Sequence, residues 1–212
     1  DNRVFPEANT SQAIIDCFTN AVNNLGIKVL KNNGVTSIQK QESTWTINTK
    51  EHQFKADFLV IAAGSSKKIW EMSENLGHTI VNTVPSLFTF NIKDSRILDL
   101  GGVAVPNAGV SIAKTKLENS GPLLITHWGL SGPAILKLSA FGARILADKN
   151  YQYNVIVNWL GIDTDTVFEK LLELKRTNAK KQVILKSPFP DIPRRLWERL
   201  VIASAIKNNQ NW

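Results

Sequence analysis

A row of short β-type runs between residues 79 and 126, separated by proline, glycine and asparagine, limits the fold more than any other feature. Strands this short, with turn residues between them, are typical of small antiparallel sheets and barrels. The pattern predicts strands at 79–81, 86–91, 102–105, 110–112 and 123–126, and an alternating run at 151–159 predicts one more. Residues 76–160 are therefore expected to form a mostly β, barrel-like domain.

The first 66 residues have a different pattern, typical of an α/β nucleotide-binding fold. Apolar residues at helical spacing predict a helix at 11–25, with Thr10 or Ser11 as its cap and Gly26 as its stop. Strands are predicted at 27–30, 34–38, 45–48, 53–55 and 58–62. The last of these, Phe-Leu-Val-Ile-Ala, is apolar on both faces, which favours the middle of a parallel sheet.

The remaining segments read as helices. A helix is predicted at 133–147, capped by Ser131, with a proline in its first turn. Beyond Gly161 the pattern predicts helices at 163–175, 178–185 and 193–207. Residues 161–212 are therefore expected to form a helical domain.

Cysteine content favours a cytoplasmic protein, with a disulfide-free periplasmic protein as the alternative. Cys17 is the single cysteine, so no intrachain disulfide forms, and its place in a helical apolar pattern predicts a buried small side chain. The chain contains neither an apolar stretch of about 18–20 residues nor a signal peptide. The chain starts without methionine and ends inside a helical pattern, so it is expected to be an internal piece of a longer protein.

The net charge of +7 raises the question of nucleic acid. Residues 162–212 hold ten Lys or Arg against six Asp or Glu, but no run of five basic residues occurs, and none is interleaved with aromatics. A solvated basic helix face is favoured over nucleic-acid binding. The three histidines and one cysteine are too scattered for metal-ligand spacing, so no metal site is predicted.

Two segments are candidate binding sites. Ala62, Ala63 and Gly64 end the predicted strand at 58–62, where small residues let a ligand approach the backbone, although the same residues also suit plain packing. The segment 121–133 contains His127 and a Gly-Leu-Ser-Gly turn before a helix, a setting that favours an anion. The alternative is that His127 only packs at a domain junction.

The chain lacks both glycine motifs that bind phosphates, G-x-G-x-x-G and G-x-x-x-x-G-K-S/T. Other segments nevertheless follow a known order: Arg-Val-Phe-Pro at 3–6, Ala-Asp-Phe-Leu-Val-Ile-Ala-Ala-Gly at 56–64, Leu-Gly-His at 76–78, and Gly-Pro-Leu-Leu-Ile-Thr-His-Trp-Gly-Leu-Ser-Gly-Pro at 121–133. In these the chain resembles the middle part of the bacterial flavoproteins called aminoacetone oxidase family FAD-binding enzymes.

The resemblance implies an α+β, multidomain fold of the glutathione-reductase type. A partial Rossmann-like FAD-binding portion (1–66) is followed by a linker (67–75) and by an insert. The insert consists of a small antiparallel β-barrel-like domain (76–160) and a helical domain (161–212). The segment 65–72 is shorter than the family's usual glycine-rich stretch and reads as a small helix, so flavin contacts there are not expected.

The resemblance also implies roles for individual residues. Val35 would offer its backbone to the adenine, and Ala62, Ala63 and Gly64 would line the dinucleotide. Arg3 and Phe5 would lie near the flavin. His127, Gly129, Ser131 and Gly132 would face the active site, with His127 as the candidate catalytic residue.

The function implied is hydride transfer between FAD and a small organic substrate, with NAD(P)H as a possible partner. As cut, the chain is expected to be inactive and free of FAD. The alternative is a non-catalytic insert or lid that binds a protein or acidic partner, which exposed Trp197 and Trp212 would favour.

Overall fold

The computed structural model describes residues 4–212, which form two compact units. The first unit extends to Asn82, and the second comprises Thr83–Trp212. No helix within the described residues is long and apolar enough to cross a bilayer.

The first unit contains two helices and a three-stranded antiparallel meander. Thr10 caps the first helix, because its Oγ1 accepts a hydrogen bond from the Ala13 amide at 3.4 Å. The predicted helix and meander are therefore confirmed, with bounds α1 Ser11–Asn24, β1 Val35–Gln41, β2 Thr44–Thr49, β3 Gln53–Ala56 and α2 Lys67–Asn75.

Three predictions for this unit are wrong. Residues 27–30 and 58–62 form no strand, and Phe58 and Val60 are 90% and 85% exposed. A strand needs a partner for its backbone groups, and within the described residues the sheet of this unit consists of β1, β2 and β3 alone. Cys17 is exposed rather than buried, because α1 contains no buried residue.

The second unit is built on a five-stranded sheet whose pairs are all antiparallel, in the order β4-β7-β6-β5-β8. This confirms a mixed fold with a barrel-type sheet and helices. The strands are β4 Phe90–Asn91, β5 Ala104–Ile112, β6 Glu118–Thr126, β7 Gly129–Ser131 and β8 Val155–Asn158. The strand predicted at 79–81 is absent, and only the last two residues of the one predicted at 86–91 pair.

A bulge explains why one long strand reads as two short runs in the sequence. The runs at 102–105 and 110–112 belong to β5, whose register against β6 shifts between Val105 and Ala108. Pro106 lies at this shift, and proline has no amide to donate to a ladder. Beyond the bulge, Ala108, Val110 and Ile112 alternate inward and are buried.

The second unit has four helices, two before β8 and two after it: α3 Pro133–Phe141, α4 Ala143–Asp148, α5 Thr164–Thr177 and α6 Arg194–Ala203. The predicted helix 133–147 divides at Gly142, where a Cβ would lie 2.1 Å from Leu117 Cδ2. Ser131 does not cap it, because Ser131 belongs to β7 and Gly132 takes the cap position. Residues 178–185 form only a short turn at Val183–Leu185.

The core of this unit lies between the sheet and the helices. Leu138 of α3 and Leu196 of α6 have no exposed surface. Ser139 is also fully buried, and its hydroxyl accepts from the Phe88 amide at 3.0 Å and donates to the Leu136 carbonyl at 2.9 Å. The hydroxyl thus pairs both groups, which keeps a polar side chain tolerable in the core.

Because of an aromatic cluster beside β4, the stability of this unit is expected to fall as the pH becomes alkaline. The Tyr153 ring packs edge-on against Phe90 at 5.3 Å, and burial, with a smaller contribution from Tyr151, raises the pKa of Tyr153 to about 12. The folded chain therefore holds this proton more tightly than the unfolded chain, whose tyrosines titrate near pH 10. The stabilisation is complete below about pH 10 and is lost as the pH rises towards about 12.

We expect Tyr153→Phe to remove this loss, which amounts to about 1 kcal/mol after allowance for solvent screening. Urea unfolding of both proteins, at about pH 9 and at about pH 11.5, measures it. Lysine ionisation affects both proteins alike, so the difference between them isolates Tyr153. Equal losses in the two proteins would show that Tyr153 does not carry the effect.

Candidate functional site

His127 and Trp128 form the tip of a tight hairpin in the second unit. Thr126 of β6 pairs with Gly129 of β7, so the two aromatic residues form the turn. Both are exposed, Trp128 at 46%, and their ring centroids lie 4.0 Å apart, edge to face. An exposed imidazole held by a neighbouring indole can give or take a proton from a molecule bound at this tip.

A glycine loop lies beside this tip. The Gly102 amide donates to the Ile125 carbonyl at 2.9 Å, and a Cβ on Gly101 would lie 3.6 Å from the His127 nitrogen. Asp99, two residues before Gly101, accepts a hydrogen bond from the Arg195 guanidinium through its backbone carbonyl. A helix of the second unit thus holds the loop next to His127, a contact that the sequence analysis missed.

The two glycines predicted to face a cofactor are packed against the backbone of their own sheet. A Cβ on Gly129, whose φ is +150°, would lie 2.1 Å from the Phe90 carbonyl oxygen. A Cβ on Gly132, whose φ is +93°, would lie 2.8 Å from the Pro122 oxygen. Ser131 lies between them, half-buried and paired with Leu124. These three residues therefore shape the hairpin that presents His127.

The candidates in the first unit lie on open backbone. Ala62, Ala63 and Gly64 are exposed, and a Cβ on Gly64 would meet nothing within 4 Å. The Val35 carbonyl accepts a hydrogen bond from Lys68 Nζ at 2.7 Å, which ties α2 to the start of β1. Sequence reasoning missed this contact. Phe5 is 69% exposed in an irregular segment, and Arg3 lies outside the described residues.

A second surface, which we call the basic cleft, lies in the helical part of the second unit. It has a volume of about 870 Å³. Residues 181–183 pair with 210–212 to form one wall, through hydrogen bonds from Val183 N to Gln210 O and from Trp212 N to Lys181 O at 3.0 and 3.1 Å. The polar and aromatic residues lining the cleft are Asn178, Lys180, Lys181, Gln182, Lys186, Ser187, Asn211 and Trp212.

Sequence reasoning missed the basic cleft, although one signal pointed to it. Residues 175–186 contain five basic residues and no acidic ones. Aromatic residues are absent from that stretch, and the aromatic wall is supplied by Trp212, which is distant in sequence. Among residues 4–212, no group of three or more His, Cys, Asp or Glu side chains is placed to hold a metal ion.

Comparison with known proteins gives a family match and several similar enzymes. The family model described as "HI0933-like protein barrel and H2TH domain" matches residues 84–212. A ribosomal RNA dihydrouridine synthase of Escherichia coli strain K12 is 25% identical over 202 residues, which is 90% of this chain and 48% of the relative.

Two further relatives are more distant. A 3-dehydro-bile acid delta(4,6)-reductase of Clostridium scindens is 19% identical over 151 residues, 66% of this chain and 37% of the relative. A ribosomal RNA dihydrouridine synthase of Haemophilus influenzae is 21% identical over 145 residues, 62% of this chain and 36% of the relative. The chain thus spans about half, or less, of the length of these relatives.

Proposed function

The chain belongs to the family of HI0933-like proteins with a barrel and H2TH domain, and from this we propose that it is part of an FAD-dependent oxidoreductase that reduces an unsaturated ring. Its second unit is the barrel and helical insert of that enzyme. Its first unit is part of a Rossmann-like domain that holds the flavin. The observation that carries the proposal is the family match together with the names of the similar enzymes.

The names of the relatives share one kind of chemistry. Dihydrouridine is uridine with two hydrogens added across a ring double bond, and a delta(4,6)-reductase removes unsaturation from a steroid ring. In both cases the double bond is conjugated to a carbonyl, so it accepts a hydride at carbon. A reduced flavin supplies that hydride. We infer that the substrate class is a conjugated ring ketone or lactam, and that the aminoketone suggested by the name of the resembling family is not required.

We infer that a dinucleotide would lie along the exposed backbone of the first unit. The backbone at 62–64 is exposed and unobstructed by large side chains, and the space beside Gly64 is open. Ala62, Ala63 and Gly64 would line the dinucleotide, Val35 would contact the adenine through its backbone, and Phe5 and Arg3 would lie towards the flavin. When bound, FAD would supply the hydride, and NAD(P)H would be the source of its electrons in the cytoplasm.

The second unit contributes His127 as the candidate proton donor. Carbonyl-conjugated reduction requires a proton as well as a hydride, and an exposed imidazole at a rigid hairpin tip is a suitable group for it. Gly129 and Gly132 act through the backbone, by allowing the close chain crossings that fix the tip. Ser131 extends the same strand.

The experiment compares two visible spectra. One is of a longer protein that contains this chain and is as long as its relatives, and the other is of the 212-residue chain. We expect the longer protein to be yellow and the chain to be colourless, because residues 1–212 contain no G-x-G-x-x-G segment to bind a pyrophosphate. A colourless longer protein would overturn the proposal. His127→Gln in the longer protein should keep the flavin spectrum and slow substrate reduction by about 10²-fold or more.

Exposure of both Trp197 and Trp212 would favour the alternative, an interaction module. Trp197 is only 9% exposed and Trp212 is half-buried. These positions do not favour the module over the enzyme.

A further inference from the structure

We propose that the basic cleft binds the phosphodiester backbone of RNA, with its lysines on phosphates and Trp212 against a base. The choice of RNA over DNA rests on the proposed function, because two similar enzymes are named for acting on ribosomal RNA. The affinity for phosphate rests on the cleft alone. The sequence analysis disfavoured nucleic-acid binding because it found no continuous run of basic and aromatic residues. The fold instead brings together residues that are far apart in the sequence.

The charged side chains that line the cleft are all positive. Lys180, Lys181 and Lys186 line it, and none of its twelve lining residues has a carboxylate side chain. These three lysines take part in none of the salt bridges described within residues 4–212, which join Arg96 to Asp94 and Arg194 to Glu198. Their ammonium groups are therefore available to an anion that enters the cleft.

The segment that carries Lys180 and Lys181 is held at Lys181 by backbone hydrogen bonds. The Lys181 amide donates to the Asn178 carbonyl at 2.7 Å, and the Lys181 carbonyl accepts from the Trp212 amide. Lys186 directly follows the short turn Val183–Leu185 and also lines the cleft. Since the backbone positions are fixed, less chain entropy is lost when a ligand binds.

Aromatic and amide groups make the cleft suitable for a nucleotide rather than for any anion. Trp212 stacks on the buried Trp197, with ring centroids 6.2 Å apart and planes at 19°. A ring fixed in this way can support a base by stacking, as in proteins that bind single strands. Asn178 and Gln182 lie among the lysines and can hydrogen-bond sugar hydroxyls or base edges. The cavity is also within the usual size of ligand sites, about 300–1,000 Å³.

The test measures binding of a fluorescein-labelled single-stranded RNA to the 212-residue chain by anisotropy over a series of salt concentrations. For single strands, each phosphate contact contributes a salt slope of about −0.7, or about fivefold in affinity at 0.1 M salt relative to 1 M. Lys180→Gln with Lys181→Gln should therefore weaken binding by about 25-fold at 0.1 M and reduce the slope by about 1.4.

The matched control replaces Lys116 and Lys137, which are exposed in the same unit but do not line the cleft. This pair, changed to glutamine, removes the same charge and should alter affinity less than about threefold, since only general attraction is lost. An equal loss in both double variants would overturn the proposal. So would equal binding of polyglutamate, which would indicate an acidic protein partner, or equal binding of DNA of the same sequence. The assay needs no flavin, so its result is separate from that of the spectrum.

Discussion

Gly129→Ala is expected to lower the free energy of unfolding of the second unit by about 4 kcal/mol, the sum of overpacking and of a backbone angle that alanine rarely adopts. The new Cβ would lie 2.1 Å from the Phe90 carbonyl oxygen and 2.5 Å from the Ile92 nitrogen. Both belong to backbone at and just after β4, so neither can move aside as a flexible side chain would. The clash separates β4 from β7 and breaks the 2.9 Å hydrogen bond from Ile92 N to Trp128 O. Urea unfolding, monitored by circular dichroism, measures the loss.

Gly101→Ala is the matched control, because it adds the same methyl group in the neighbouring loop. Its nearest contact, 3.6 Å from the His127 nitrogen, is ordinary van der Waals contact, and its φ is not positive. We expect a change within about 0.5 kcal/mol. If Gly129→Ala were as stable as Gly101→Ala, close packing of the hairpin would not be the reason for glycine at 129, and direct contact with a cofactor would regain support.

The glycines of this hairpin show why a binding site is difficult to read from sequence. Glycine is required both where a ligand approaches the backbone and where another strand does. The sequence Gly-Leu-Ser-Gly predicts a close approach to the backbone, but it does not show whether a ligand or another strand makes that approach. At Gly129 and Gly132 the neighbours are Phe90 and Pro122, each from another part of the same sheet. The pairing of β7 with β4 at Gly129 and with β6 beside Gly132 decides between the two interpretations.

The fold was predictable where structure is local. The helix α1, its Thr10 cap and the meander β1–β3 follow from periodicity and short turns, and the structure has all of them. The conformation of residues 58–62 was not predictable, because an apolar run indicates burial only if a partner is present. Phe58 and Val60 remain exposed in the described part of the chain, so hydropathy predicted the wrong environment.

The basic cleft was difficult to predict because it also depends on a contact between residues that are distant in the sequence. Lysines 180, 181 and 186 are visible in the sequence, but the pattern predicts a helix at 178–185. Backbone pairing of 181–183 with 210–212 replaces that helix and brings Trp212 to the lysines. Sequence patterns report contacts within a few residues, whereas this contact spans about thirty.

Trp197→Ala is expected to destabilise the second unit by about 3–5 kcal/mol, the usual cost of removing a buried tryptophan. The indole of Trp197 is 9% exposed, packs against Phe189 at 6.1 Å and stacks on Trp212. Its Nε1 also donates to the Val183 carbonyl at 2.8 Å, which joins α6 to the wall of the cleft. The variant therefore leaves a cavity and removes the support of Trp212. Urea unfolding gives the loss of stability, and RNA anisotropy gives the loss of binding.

Trp197→Phe separates these two effects, because it keeps most of the apolar area and loses the hydrogen bond to Val183. We expect a cost of about 1–2 kcal/mol from the unpaired Val183 carbonyl and the smaller ring. An aromatic ring would still lie beneath Trp212, so the folded variant should bind RNA within about threefold of the original chain, as a change outside the phosphate contacts should. If Trp197→Phe abolished binding while the protein stayed folded, the hydrogen bond to Val183 would be what positions the lysine wall. If Trp197→Ala lost less than about 1 kcal/mol, α6 would not be part of the core as the structure has it.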